Sequence, residues 1–146
     1  MNFIESDDTD GKPGLSSLLA GSTNSANIEE YYDDWAETYD ATLKDWNYQA
    51  PVEAAATLNR YLKPGSNILD VGCGTGMFSR AISGILECCI IGIDISAASL
   101  AVAEKNGIYV DLRRHDLQIT PLPADTNAFD AAACVGVLTY IEDASD

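Results

Sequence analysis

No stretch of this 146-residue chain approaches the ~18 consecutive apolar residues that a membrane-spanning helix requires. Basic residues are scarce as well, 8 Lys and Arg against 23 Asp and Glu, for a net charge of -15. That field repels phosphate backbones and anionic lipid surfaces, so neither nucleic acid nor a membrane is expected as a partner. Histidine occurs once, and the four cysteines, at 73, 88, 89 and 134, show no CxxC spacing. This leaves neither a zinc ligand set nor a disulfide framework, and no metal is expected. Cys88 and Cys89 are neighbours in an apolar run, where a strand would point them to opposite faces, so they read as two small buried hydrophobes rather than a redox pair. The opening MNFIESDDTDGK places acid where a secretory signal carries Lys or Arg, and a cytoplasmic location is expected. The GK[ST] ending of a phosphate loop is missing too, which disfavours ATP or GTP as a phosphoryl donor.

What is present fits an ordinary globular domain. The residues are 47% hydrophobic and 21% charged, and a chain of this length buries roughly 68 to 70% of its unfolded surface. Residues 1–27, rich in Ser, Gly, Asn and Asp, read as a mobile polar tail without chemistry of its own, and residues 28–146 as the folded domain. Ile28, Tyr32, Trp35 and Tyr39 recur at helical spacing with acids on the other face, which predicts one amphipathic helix. A second is expected over 51–62, with Pro51 near its first turn and Pro64-Gly65 beyond its end.

The period then changes. Residues 67–71 form a short apolar run, GCGTG follows at once, and 77–85 is helical in pattern. Residues 88–93 read as a strand covered on both faces, closed by Asp94; Ser96 caps a helix to about Asn106, and Gly107 suits a left-handed stop. A third strand over 109–113, a loop over 117–127 with Pro121 and Pro123, and a fourth strand over 129–135 complete the pattern. Strands alternating with helices imply an α/β fold, a parallel sheet wound with right-handed crossovers.

The informative string is Asp70-Val71-Gly72-Cys73-Gly74-Thr75-Gly76, standing between strand and helix. Glycines at the carboxyl end of a parallel strand let the backbone turn and approach a ligand closely, with the free N–H groups of the next helix behind it. Asp94 ends the next strand 18 residues after Gly76, where a carboxylate can accept from both hydroxyls of a ribose and would repel a 2'-phosphate. The same acid can instead serve the helix N-terminus that follows Ser96. The spacing is GxGxG rather than GxGxxG, and Asp70 stands beside the loop. A pyrophosphate would be repelled by that acid, whereas a cationic ligand would be attracted.

ILDVGCGTG, then IGID, then His115-Asp116, then FDAAACVGVLTYIED resemble, in order, the motifs of the class I S-adenosylmethionine-dependent methyltransferases. YYDDWAETYD over 31–40 resembles the entry segment of the methyltransferase-like proteins of the Williams-Beuren region. The resemblance covers about residues 28–143 and implies a Rossmann-like sheet with helices on both faces. A full fold of this family has seven strands in the order 3-2-1-4-5-7-6, and only the first four are found here, so a C-terminally incomplete domain is expected. S-adenosylmethionine is the implied cofactor. Asp70, Gly72, Gly74 and Gly76 would line its methionine part, with Cys73 counted among them by its place in the loop. Asp94 would hold the ribose diol, and Ile95 is counted beside it, although its side chain, like Leu100 and Val102, reads as packing. Asp116 would accept from the adenine amino group, with the Leu117 backbone alongside, though the same acid could simply open the turn into Gln118. Val135, Gly136 and Val137 would lie near the sulfonium, offering backbone carbonyls. Tyr39, with Trp35, is either a lid on the cofactor or core packing. His115 is read as solvated or packed rather than as a base, and no catalytic residue is assigned.

The implied activity is methyl transfer to an acceptor, a small molecule foremost and a protein as the other choice. A module that binds the cofactor without catalysis is the alternative from another class, and an NAD-dependent oxidoreductase the rival that shares the glycine loop and the acid. The fourth strand reads AAACV and carries none of the Lys, Pro or bulge signals that protect a sheet edge, so self-association through it is expected.

Overall fold

The computed structural model describes residues 24–137. Most of the expected tail, 1–23, and the end of the fourth motif, 138–146, lie outside the described residues.

Helix α1 (Ser25–Trp35) opens on Asn24, whose side-chain oxygen accepts from the Asn27 amide at 3.1 Å, satisfying one of the donors that a helix start leaves unpaired. The helix thus begins three residues before Ile28, and Ser25 belongs to it rather than to a tail. It also ends at Trp35, where the pattern predicted one helix through Tyr39. The Thr38 amide and hydroxyl both turn back to the Trp35 carbonyl, the kind of local side-chain competition that interrupts a helix. Helix α2 (Tyr39–Asp45) follows after that break. The break lets the Tyr39 ring meet the Trp35 indole edge-on at 4.6 Å. Trp35, only 1% exposed, is core.

Helix α3 (Ala50–Asn59) has Pro51 in its first turn, where a missing N–H costs nothing. Next come β1 (Ser66–Val71), α4 (Met77–Ser83), β2 (Cys88–Asp94), α5 (Ala97–Glu104), β3 (Tyr109–Arg114) and β4 (Ala131–Cys134). All strand pairs are parallel, in the order β3-β2-β1-β4. The α/β class expected from the alternation is the observed one, and β4 is shorter than its sequence run. Ile68 of β1 lies level with Ile90 of β2, and both bury against Ala55 of α3 and Phe78 and Ile82 of α4. Each such large side chain contributes about 1.5 to 3 kcal/mol, so the glycine loop between β1 and α4 is anchored on tightly packed ground.

The cysteine pair departs from expectation in one respect. Cys88 faces this core beside Ile90 and is half-buried, but alternation turns Cys89 to the opposite face, where it is exposed.

Candidate functional site at the carboxyl ends of the strands

The loop after β1 carries positive φ at Gly72, Gly74 and Gly76. At Gly72 a Cβ would stand 2.3 Å from Cγ2 of Val137, so its absence lets the segment after β4 close onto the loop. The Cys73 amide donates to the Ile93 carbonyl at 2.9 Å, extending the β1–β2 ladder into the loop.

Two carboxylates end these strands. Asp70 is 2% exposed, and one of its oxygens accepts from the Ser79 hydroxyl at 2.6 Å and the Tyr109 hydroxyl at 2.9 Å. Burial raises its pKa to about 6, against the lowering effect of those two hydroxyls; the nearby Asp94 charge adds to the rise. Tyr109 reaches Asp70 by crossing β2 over Gly92, where a Cβ would lie 2.8 Å from the Tyr109 ring and 2.9 Å from the Cys73 sulfur. Burial pushes the Tyr109 hydroxyl and the Cys73 thiol upward as well, so both stay protonated at neutral pH.

Asp94 is held differently. One oxygen accepts from the Gly74 amide at 2.7 Å and the other from the Ser96 amide at 2.9 Å. Burial raises its pKa too, while the backbone donors pull it down. Because an ionised carboxylate offers about four lone-pair sites, each oxygen retains capacity for another donor.

Above these groups lies a cavity that opens to solvent at its mouth. Of the residues singled out from sequence, Tyr39, Gly72, Gly74, Asp94, Ile95, Asp116, Leu117, Val135 and Gly136 line it, as does Val137. Asp70 and Cys73 line instead a smaller adjoining cavity, shared by Tyr39, Gly72, Gly74 and Val135 and walled by Tyr48, Met77 and Phe78. Gly76 lines neither; it is the N-cap of α4, packed against Asn106 and Tyr109. Asp116 also opens a turn, its carboxylate accepting from the Gln118 amide at 2.9 Å. His115 faces neither cavity, and its Nε2 lies 2.7 Å from the Ile119 carbonyl.

Sequence reasoning missed several participants. Ser25, Ile28 and Tyr32 of α1, with Thr75 and Gln118, also line the larger cavity. The aromatic periodicity of α1 was visible but could not say which cavity it faced. Gly92 was signalled by a lone glycine inside an Ile-rich strand, the mark of a close approach.

The larger cavity displays two acids, Asp94 and Asp116, and no Lys, Arg or His in its lining. A Cβ at Gly74 would meet nothing within 4 Å, so open space rather than side chain faces that loop. This set of acceptors fits a ligand with a positive centre and hydroxyl donors and no phosphate, the chemistry of S-adenosylmethionine. Among the described residues, no helix is long and apolar enough to cross a membrane, and no group of three or more His, Cys, Asp or Glu is placed to hold a metal ion.

A parallel 3-2-1-4 sheet with a glycine loop at its central crossing defines a Rossmann-like nucleotide-binding domain. Residues 68–146 match the methyltransferase domain family, and the chain belongs to it, among the class I S-adenosylmethionine-dependent methyltransferases. Methyltransferase-like protein 27 of Homo sapiens is 36% identical over 115 residues, which cover 75% of this chain and 46% of that protein. Among solved structures, a protein from Methanococcus maripaludis assigned as an S-adenosyl-L-methionine-dependent methyltransferase shares the fold, with a TM-score of 0.62 at 20% identity over 80% of this chain and 53% of that one. CalS10, an amino pentose methyltransferase from Micromonospora echinaspora solved with S-adenosylmethionine bound, has a TM-score of 0.52 at 26% identity over 65% of this chain and 40% of its own. The chain spans about half the length of these relatives or less.

Proposed function

We propose that the domain beginning at Ser25 forms the cofactor-binding part of an enzyme that transfers a methyl group from S-adenosylmethionine to a small-molecule acceptor. The observation that carries this is the lining of the larger cavity beside the glycine loop, whose charged groups, Asp94 and Asp116, are both acids with no cation among them. CalS10, which acts on an amino pentose, supports the small-molecule class, and the net charge of -15 weighs against RNA or DNA.

When bound, S-adenosylmethionine supplies a methyl carbon activated by its sulfonium leaving group. The chain's own residues bind and align. Asp94 accepts from the ribose hydroxyls with the lone pairs that Gly74 and Ser96 leave over, and Asp116 with the Leu117 backbone receives the adenine. The backbone of Gly72 to Gly76 cradles the methionine part, with Asp70 beneath it as a negative charge that favours a cation. Val135, Gly136 and Val137 present backbone at the reacting end. Tyr32 and Tyr39 exclude water. Alignment of this kind is worth up to roughly 7 to 11 kcal/mol in ideal cases, so a general base is not required.

Calorimetry tests the cofactor: S-adenosylmethionine and its demethylated product bind more tightly than NAD, and the reverse order would restore a dinucleotide site. The four cysteines, all free, favour a cytoplasmic location. The 146-residue chain also self-associates through the outer edge of β4, which among the described residues pairs with β1 alone. Sedimentation should show dimers or larger species at micromolar concentration, and a monomer throughout would reject that edge.

A further inference from the structure

Helix α1 touches the site with two stripes. Ile28 and Tyr32 line the cavity, while Glu29 and Asp33, one turn apart, reach the segment that carries Asp94. The Asp33 carboxylate accepts from the Ser96 hydroxyl at 2.5 Å and from the Ala98 amide at 3.1 Å through the same oxygen. Ser96 is fully buried, and its hydroxyl also accepts from the Ser99 amide at 3.0 Å, while its own amide donates to Asp94 at 2.9 Å. From the other side, Glu29 pairs with Arg114, whose Nε donates to the Ile95 carbonyl at 3.2 Å. Helix α1 therefore holds Ser96 directly through Asp33, and Ile95 through Arg114.

The arrangement is more than a helix cap. Helix α5 has no acid in its own first turn, and Asp33 supplies one from α1, at a point where its charge adds to the burial that raises the pKa of Asp94. The positive dipole end of α5 offsets the repulsion between the two acids. An uncharged acceptor on α1 would cap the helix without the repulsion. The geometry thus separates two properties of Asp33, its acceptor oxygen and its charge, and the oxygen is the one in the chain of hydrogen bonds from Asp33 through Ser96 to Asp94 and Gly74.

We propose that Asp33 is a positioning residue for the ribose site: from α1, through Ser96, it fixes the carboxylate of Asp94 at the angle from which it meets the ribose hydroxyls. This rests on the reading of Asp94 as the ribose acceptor. The docking of α1 on residues 96–98 and the aim of Asp94 are then coupled through Ser96.

The test is the ratio of affinities for S-adenosylhomocysteine and its 2'-deoxy analogue, measured by calorimetry on the whole chain. A residue that only stabilises the fold weakens both ligands alike and leaves the ratio unchanged. Asp33→Ala should cut the preference for the ribose form by about five- to tenfold, the loss of roughly one well-placed hydrogen bond. Asp33→Asn keeps the acceptor and should hold the wild-type ratio. Should Asp33→Ala fail to fold, Asp33→Glu, which moves the oxygen by one methylene, should lower the ratio in its place. A wild-type ratio in Asp33→Ala, or in Asp33→Glu where that replaces it, overturns the proposal, as does a lost ratio in Asp33→Asn. Asp94→Ala separates this from failure of the underlying reading: if that variant keeps the wild-type ratio, Asp94 is not the ribose acceptor at all.

Discussion

The ends of β1 and β2 carry the same chemical group in two different conditions. Asp70 lies level with Gly92, so Asp94 stands two residues further along the neighbouring strand, on the same face. At about 3.3 Å per residue that is about 6 to 7 Å nearer the mouth. The lower carboxylate is walled in and served by side-chain hydroxyls, one of which arrives from β3 over Gly92. The upper one is served by backbone amides and lines the larger cavity. Identical side chains at adjacent strand ends thus divide into a buried charge reserve and an open hydrogen-bond acceptor, and register alone separates them.

The sharpest way to break this comparison is to neutralise the lower acid. Asp70 has a folded pKa of about 6, above its ordinary 3.8, so the folded state holds this proton more tightly than the unfolded one. The resulting stabilisation is complete below about pH 4 and is lost as pH rises through about 6, roughly 3 kcal/mol in all. Urea unfolding of the ligand-free protein between pH 4 and pH 8 should show a decline to which Asp94, raised in the same direction by burial, also contributes; Asp70→Asn should remove the Asp70 share of it while weakening binding of the cationic cofactor. An unchanged decline in Asp70→Asn would mean that Asp70 is ionised at no such cost.

The upper acid should respond in binding more than in stability. Asp94→Ala is expected to weaken S-adenosylmethionine by about 1.5 to 3 kcal/mol through lost charge-assisted hydrogen bonds. Asp125→Ala, on the exposed loop before β4, should change affinity little. Equal losses in the two variants would dissolve the distinction between a site acid and a surface acid.

Much of this was legible before any coordinates. The alternation of short apolar runs with helical stretches implied a parallel α/β sheet, because fully covered strands and amphipathic helices leave different periods in the chain. The glycine loop stood out because only that residue type allows such a turn at a strand end. The helix break after Trp35 was not legible, since Thr38 breaks it with a local hydrogen bond that helical spacing does not register. The exposure of Cys89 escaped for a related reason: alternation states that two neighbours face apart, not which face is covered.

By itself, then, the sequence determined the order of elements, the loop at the carboxyl end of β1 and the acids beside it, all consequences of local backbone preference and apolar periodicity. Only the tertiary structure decided that Asp70 is buried under Tyr109 while Asp94 opens to the cavity, and that Asp33 ends beside Ser96, 63 residues further along the chain. Those outcomes depend on strand register and on the docking of α1. Both are set by contacts between residues far apart along the chain, which no local pattern encodes.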